Sequence, residues 1–222
     1  MNTFFLDRLN SEPHALAFAG QSTPWPVALA DQSANPALDE ALHTHAAAAQ
    51  ALLYPVSAEL LATTGRPVDL FGFEPNPARL GAAAAASASV PGIALTQLGA
   101  LLDAAALGYN PAQAKPVAVL GHSQGVLAVH MVQAICEAGS IDAAAAKIDE
   151  ILAIATLIGV AGTRQARQLG LAARHGEATP MLSVKDITRA QVDALIERVD
   201  GAPGPIPVAV TNYATKKKMS GY

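Results

Sequence analysis

The sequence predicts an α/β fold in which helices flank a mainly parallel sheet. Short apolar segments that end at glycine alternate with longer segments that carry alanine and leucine at helical spacing. Such alternation is typical of βα units, in which a helix connects two parallel strands. The chain has 222 residues, of which 51% are hydrophobic and 14% charged, so it contains enough apolar material for a substantial core.

Four segments are predicted as strands. Residues 15–19 end at Gly20, and residues 117–120 end at Gly121, as expected of short strands buried on both faces. Residues 180–184 and 206–211 are the other two, and a proline in the last segment places it at a sheet edge or makes its beginning irregular.

Helices are predicted where alanine and leucine recur at helical spacing, over residues 38–53, 92–107, 125–137 and 143–169. Thr188 and Gln191 form a capping-box pattern that begins a further helix, which extends to Val199. Residues 65–77 and 201–207 are rich in proline and glycine and are predicted as loops.

Composition narrows the classes of function. The net charge of −4 argues against a nucleic-acid-binding face or an anchor on an anionic membrane. The N-terminus lacks a basic leader, and the most apolar run, residues 151–162, is shorter than the about 20 residues that span a bilayer. The single cysteine, Cys136, cannot form an internal disulfide and is predicted to be a buried thiol on a helix. We therefore expect a cytoplasmic protein with no nucleic-acid or membrane partner.

One motif indicates chemistry. Ser123 lies between Gly121 and Gly125 in a G-x-S-x-G pentapeptide, directly after one predicted strand and directly before a predicted helix. In an α/β-hydrolase-like fold this pattern forms a sharp turn that exposes the serine hydroxyl above the sheet, and glycine is needed where a side chain would collide. The same turn directs the main-chain N–H of Gln124 towards the place where an acyl oxygen becomes negative.

A second main-chain donor would complete an oxyanion hole. Gly20 and Gln21 follow the first predicted strand, and the carboxyl ends of parallel strands meet at one edge of a sheet. We therefore expect the backbone of Gln21 to lie beside Ser123.

These residues resemble a known family. A Gly20-Gln21 turn followed about a hundred residues later by the Ser123 motif is similar to the acyl-CoA:acyl-carrier-protein transacylases. Residues 122–129, together with 89–92, 95–97 and 157–162, resemble the N-terminal acetyltransferase region of bacterial type I fatty acid synthases. The resemblance extends over about residues 15–221 and implies a chain embedded among the other domains of a homo-oligomeric synthase.

The resemblance implies a role for each matching residue. Ser123 would take an acetyl group from acetyl-CoA and give it to the phosphopantetheine thiol of an acyl carrier protein domain. Gln21 and Gln124 would supply the oxyanion amides, His122 would be a structural neighbour in the substrate site, and Gln97 would give a supporting hydrogen bond from the helix below it. No metal and no covalently bound cofactor is implied.

Substrate choice depends on one position. Malonyl-selecting relatives place an arginine before a glycine on a later helix, and Ile158 before Gly159 matches that position here. An isoleucine cannot compensate a buried carboxylate, so a neutral acetyl group is favoured. Arg164 and Arg167 are the alternative candidates for a carboxylate-binding arginine.

The expected catalytic base is missing. The family takes it from a histidine after a small ferredoxin-like subdomain, and none of the six histidines matches that segment: His14, His43, His45, His122, His130 and His175. His43 and His45 are two residues apart on a helix and face different sides, which argues against a metal site. We interpret residues 1–207 as the N-terminal portion of the α/β acyltransferase core and residues 208–222 as the incomplete start of the small subdomain, so the sequence is expected to be truncated and nearly inactive alone.

Two other functions stay open on the sequence alone. A serine hydrolase or thioesterase would share the Ser123 turn and pass the acyl group to water. A non-catalytic fragment of a fatty acid synthase scaffold would supply only packing surface.

Overall fold

A computed structural model describes residues 3–20, 24–64, 68–72, 86–168 and 187–201. The chain divides into two compact units, Met1–Thr179 and Pro180–Tyr222. In the first unit the described α-helices and strands are α1 (Thr3–Ser11), β1 (Ala15–Phe18), α2 (Trp25–Ser33), α3 (Pro36–Leu53), α4 (Ser57–Thr64), α5 (Ala86–Ala106), α6 (Pro111–Ala114), β2 (Ala118–Gly121), α7 (Val126–Ala138) and α8 (Ala145–Gln168). The described part of the second unit contains α9 (Arg189–Asp200).

The two strands pair in parallel. Leu16 lies opposite Val119, and Phe18 lies opposite Gly121. The pairing continues past the strand ends, because the Phe18 carbonyl accepts the N–H of His122 at 3.0 Å. The described residues are thus mainly helical with a two-stranded parallel sheet, which is compatible with the predicted α/β class.

Only one face of this sheet is covered within the described part of the chain. Leu16, Phe18 and Val119 pack against the core, whereas Ala17 and Leu120 on the opposite face are exposed. The prediction that both segments are strands is confirmed, but burial on both faces is wrong for the described residues. The sequence misleads here because apolar residues, Ala17 and Leu120, also occupy the exposed face, so a strand covered on one side resembles a continuous apolar run.

Helix α5 forms the centre of the core. Its residues from Ser87 to Gly99 are all buried, and it contacts α2, α3, α7 and α8. By length and composition α5 could cross a membrane, yet 72% of its most apolar window is buried inside the protein, as in the core helix of a globular domain. The structure begins this helix six residues before the predicted position, because Pro91 and Gly92 resemble a helix break in sequence but lie inside the helix.

Helix α8 packs closely on the first turn of α5. A Cβ at Gly159 would collide with the Ala86 carbonyl oxygen, so only glycine allows this approach. The Thr163 hydroxyl accepts a hydrogen bond from the Ser87 N–H at 2.8 Å, which satisfies a donor in the first turn of α5. The two contacts fix where α5 begins relative to α8.

Helix α2 lies against α5 through two glycines. A Cβ at Gly92 would stand 2.5 Å from the Trp25 ring, and a Cβ at Gly99 would collide with the Gln32 side chain. Gln32 Nε2 also donates to the Thr96 carbonyl at 2.9 Å. These contacts anchor both ends of α2 to the central helix.

The other predicted helices are confirmed with small changes of boundary. Helix α3 begins at Pro36 with Asn35 as N-cap, and α8 begins at Ala145 after a turn. The capping box at α9 is formed as predicted, since Gln191 Oε1 accepts from both the main-chain N–H and the hydroxyl of Thr188. The sequence did not predict the short helices α1, α2, α4 and α6, which have too few turns for a clear apolar period.

Several predictions concern residues outside the described ranges. These are the strands at 180–184 and 206–211, most of the loop at 201–207, and the domain boundary between residues 207 and 208. In the predicted loop 65–77 the described residues 68–72 contain no helix or strand.

Candidate active site

Ser123 lies at a sharp turn between β2 and α7. His122 is extended, with φ −98° and ψ 127°, and Ser123 then adopts the left-handed conformation with φ +54°. A short 3-10 turn over Ser123–Gly125 leads directly into α7. A left-handed conformation costs an L-residue about 1–2 kcal/mol, so this turn is strained at the one residue that carries a hydroxyl. Ser123 is an exposed residue.

Glycines make the turn possible. A Cβ at Gly121 would stand 2.6 Å from the main-chain carbonyl carbon of Gly125 and from the nitrogen of Val126. A Cβ at Gly125 would collide with the Phe18 carbonyl at the end of β1. The strand ends and the first turn of α7 therefore meet backbone to backbone, as the G-x-S-x-G pattern predicts.

The turn after β1 lies against the same point. A Cβ at Gly20 would stand 2.6 Å from the His122 carbonyl oxygen, 2.8 Å from the Ser123 Cβ and 3.4 Å from the Gln124 nitrogen. The structure thus brings the residue before Gln21 into contact with the Ser123 turn, next to the Gln124 amide. Gln21 itself lies outside the described residues, and its place as the second oxyanion donor stays a prediction.

The start of α7 is a favourable place for negative charge. Its N-cap is Gly125, which has no side chain to cap the first turn, and the first turn contains no acidic residue. The first main-chain N–H groups of a helix lack partners within the helix and carry partial positive charge. An oxyanion beside Ser123 would therefore be stabilised by the main chain alone.

Gln97 supports the turn from below. It lies on α5, is 8% exposed, and donates from Nε2 to the Ala19 carbonyl at 2.5 Å. Its Oε1 is buried and has no hydrogen-bond partner within the described part of the chain. The hydrogen bond joins the central helix to the residue that precedes Gly20, a connection that the sequence did not specify.

No histidine in the described ranges is hydrogen-bonded to Ser123. His14 lies at the opposite end of β1, where Nε2 contacts the Tyr109 hydroxyl at 2.7 Å and Nδ1 contacts the Glu12 carbonyl. The His45 Nδ1 lies 2.7 Å from Asp149 Oδ1. His122 and His130 are exposed. The described residues therefore place none of these rings as a base on the serine.

Metal ligands do not cluster within the described ranges, where no group of three or more histidine, cysteine or acidic side chains could hold an ion. His43 stacks on Phe71 with ring centroids 3.7 Å apart and contacts the Asp39 carbonyl through Nδ1, whereas His45 contacts α8. The two rings face different neighbours, as their spacing predicts.

Ile158 is half exposed on α8, between the similarly exposed Leu157 and the buried Gly159. Arg164, one of the two alternative arginines, binds Glu59 on α4 through a fork of three hydrogen bonds at 2.9–3.1 Å. That fork holds a carboxylate of the protein itself. The side chain of Arg167 lies outside the described part of the structure.

The structure corrects the prediction that Cys136 is buried. It lies on α7 as expected, but it is exposed and not buried. Desolvation by its surroundings, with a smaller contribution from Glu137, nevertheless raises the pKa of its thiol. The sequence could not show that this position of α7 faces outward.

The fold and the site define a class: α/β proteins with an exposed serine on a strained turn between a parallel strand and a helix. The family model of the starter unit:ACP transacylase in aflatoxin biosynthesis matches residues 74–211, which is more than half of the chain. The chain belongs to the starter unit:ACP transacylase family, an acyltransferase family that moves a starter acyl unit to an acyl carrier protein. The match includes Gln97, Ser123 and Ile158. No curated protein matches the chain.

Proposed function

We propose that the protein transfers an acetyl starter unit from acetyl-CoA, through an acyl-serine at Ser123, to the phosphopantetheine thiol of an acyl carrier protein. The observation that supports this most directly is the exposed Ser123 at φ +54°, with the Gly20 turn packed beside it. A strained turn persists where the surrounding structure over-determines it, which is typical of functional sites.

The proposed reaction has two half-reactions. In the first, the Ser123 Oγ attacks the thioester carbonyl carbon, the C–S bond breaks, and CoA leaves as a thiol with the serine proton. In the second, the carrier thiol attacks the acyl-serine, a new thioester forms, and the serine regains its proton. The amides of Gln124 and Gln21 would hold the oxyanion in both steps. Neither half-reaction changes an oxidation state, so the proposal requires no redox cofactor, and the main-chain amides take the part of an electrophile at the oxyanion.

The acetyl specificity rests on the aliphatic side chain at the position that matches the malonyl-binding arginine. Ile158 cannot pair with a malonyl carboxylate, and the Arg164 fork is already bound to Glu59. Placing a carboxylate beside an aliphatic side chain would cost several kcal/mol if it lost its hydration unpaired. A short neutral acyl group is therefore the substrate that we propose.

We further propose that this chain is the acetyltransferase region of a homo-oligomeric, cytoplasmic type I fatty acid synthase, built on an α/β-hydrolase-like core. Support comes from the resemblance of residues 122–129, 89–92, 95–97 and 157–162 to that branch of transacylases. The low charged fraction of 14% fits a chain whose exterior is largely covered by other protein.

Labelling with radioactive acetyl-CoA tests the proposal. The intact protein should retain label, the Ser123→Ala variant should retain none, and proteolysis should locate the label on the peptide that contains Ser123. Added pantetheine should remove the label faster than buffer alone. Rapid loss in thiol-free buffer would instead indicate a serine hydrolase, and no labelling of the intact protein would favour a scaffold segment without catalysis.

A further inference from the structure

We propose that Gln97 is a positioning residue for the turn after β1, and that it sets the rate of Ser123 acylation without touching the substrate. The inference rests on the proposed function of Ser123. It adds the side chain that holds the turn after β1 against the Ser123 turn. Three observations support it: the hydrogen bond from Gln97 to Ala19, the contact of Gly20 with the Ser123 turn, and the unpaired amide oxygen of Gln97.

The hydrogen bond fixes the orientation of one peptide group. Gln97 Nε2 donates to the Ala19 carbonyl, and in a trans peptide the following N–H points to the opposite side. The plane of the Ala19–Gly20 peptide is therefore fixed by a side chain of the central helix. Gly20 is followed in sequence by Gln21, whose amide is the proposed second oxyanion donor.

A tilt of that peptide would be transmitted to the serine. The Gly20 Cα is so close to the Ser123 turn that a single added carbon would stand 2.6 Å from the His122 oxygen and 2.8 Å from the Ser123 Cβ. On the other side, the Ala19 carbonyl oxygen would lie 2.9 Å from a Cβ at Gly125. The turn after β1 and the Ser123 turn thus share one interface, and Gln97 holds it from α5.

Packing alone does not account for a glutamine at this position. Its Oε1 is buried and has no partner among the residues that the structure describes, and burying an unpaired amide oxygen is unfavourable compared with an aliphatic side chain of similar volume. The favourable feature of Gln97 is therefore its donor. With only 8% of its surface exposed, the side chain has almost no area for a direct contact with substrate.

Gln32 provides a matched control. It also donates from Nε2 to a main-chain carbonyl, that of Thr96 at 2.9 Å, and its Oε1 is likewise buried with no partner in the described ranges. It joins α2 to the same central helix. Its hydrogen bond ends on α5 and not on the β1 turn, so its loss should affect stability and not acylation.

The experiment measures single-turnover acetylation of Ser123 in the intact protein with the variants Gln97→Met, Gln97→Glu and Gln32→Met. We expect Gln97→Met to lower the maximal acylation rate about 10- to 100-fold. This decrease is no larger than the one that follows removal of a direct oxyanion donor. The acetyl-CoA concentration for half-maximal rate should change by less than about twofold. Gln32→Met should keep the wild-type rate within about twofold, and thermal unfolding should show a similar loss of stability for both methionine variants.

The Gln97→Glu variant adds a pH signature. In its ionised form the introduced carboxyl group would repel the Ala19 carbonyl, but in its neutral form it could donate to that carbonyl. Burial raises the pKa of a carboxyl group, so the rate of Gln97→Glu relative to wild type should rise as the pH falls from about 8 to about 6. Gln97→Met should show no such rise. A role limited to packing would not produce this difference.

Several results would overturn the inference. Wild-type acylation by Gln97→Met would show that the hydrogen bond does not matter for the turn. An unchanged maximal rate with a raised half-maximal concentration would indicate a substrate contact, and equal slowing by Gln32→Met would indicate general loosening of α5. Each of these outcomes leaves the proposed function standing, whereas no labelling of wild-type Ser123 would overturn both.

Discussion

Gly20 packs directly against Ser123, so close that a Cβ at position 20 would stand 2.8 Å from the Ser123 Cβ. The two residues are about a hundred positions apart in sequence and follow the carboxyl ends of adjacent parallel strands. Parallel pairing brings those ends together, and the missing side chain of Gly20 lets the two turns touch. The geometry of the serine is therefore set by both strands.

Gly20→Ala should distort the Ser123 turn. The added methyl group would overlap the His122 carbonyl and the Ser123 side chain, and neither belongs to a flexible surface chain. We expect a loss of stability of about 1–3 kcal/mol and a larger relative loss of Ser123 acetylation. Urea unfolding and radioactive labelling measure the two effects.

Gly108→Ala is the control for this substitution. Gly108 has φ +94°, and a Cβ there would meet no atom within 4 Å. The variant should lose about 1 kcal/mol through backbone strain alone and label like wild type. Equal labelling of Gly20→Ala and Gly108→Ala would show that the contact with Ser123 has no functional importance.

Replacing Ser123 itself measures the strain of the turn. At φ +54° glycine is relaxed and alanine is not, so Ser123→Gly should be more stable than Ser123→Ala by about 1 kcal/mol. Both variants lack the hydroxyl and should take up no acetyl label. Thermal unfolding of the pair gives the difference, and an alanine variant at least as stable as the glycine variant would argue against a strained turn.

The elements that sequence predicted well are those with a strong local signal. The G-x-S-x-G motif predicted a sharp turn between strand and helix, and the Thr188–Gln191 pattern predicted the cap of α9. Helix α5 was predicted too short because a proline inside a helix looks like a boundary when its surroundings are unknown. The packing of α8 on the first turn of α5 stabilises the helix there.

Long-range contacts were beyond the sequence. Nothing local indicates that Gln97 donates to Ala19, or that Arg164 binds Glu59, because each pair is far apart along the chain. The exposure of Cys136 could not be predicted for a related reason. In a mostly apolar helix, the face that is buried is determined by the elements that pack on it, and the sequence does not identify them. The sharp turn at Ser123 could be predicted from the sequence, whereas the particular atoms that hold it from other helices could not.

The hydrogen bond that the Thr163 hydroxyl accepts should contribute to the free energy of unfolding, in addition to the burial of its side chain. Thr163→Val would leave the buried Ser87 N–H without an acceptor, at a cost of about 1–3 kcal/mol. Thr156→Val, on the same helix, should cost about 1 kcal/mol or less, because the Leu152 carbonyl that accepts its hydroxyl still accepts a helical N–H. Urea unfolding of the two variants tests the difference, and equal costs would mean that α5 does not depend on this cap.

Cys136 should react slowly despite its exposure. Its raised pKa lowers the fraction of thiolate at neutral pH, and the thiolate is the nucleophile. We expect iodoacetamide to modify Cys136 more slowly than free cysteine near pH 7, with the deficit closing as the pH rises. Glu137→Gln should speed the reaction only slightly, since desolvation is the larger cause. A rate above that of free cysteine would contradict the direction of the shift.

Ile158→Arg tests the assignment of acyl specificity. Arginine at this position could form a bidentate pair with a malonyl carboxylate, so labelling by malonyl-CoA relative to acetyl-CoA should rise about tenfold, equivalent to about 1.4 kcal/mol. Leu157→Arg is the control, because Leu157 is 56% exposed and Ile158 51%, and consecutive helical residues point about 100° apart. Both variants place the new charge at an exposed position and should fold. If Leu157→Arg shifted the preference as much as Ile158→Arg, added positive charge near the site would explain the change, and Ile158 would not contact the acyl group.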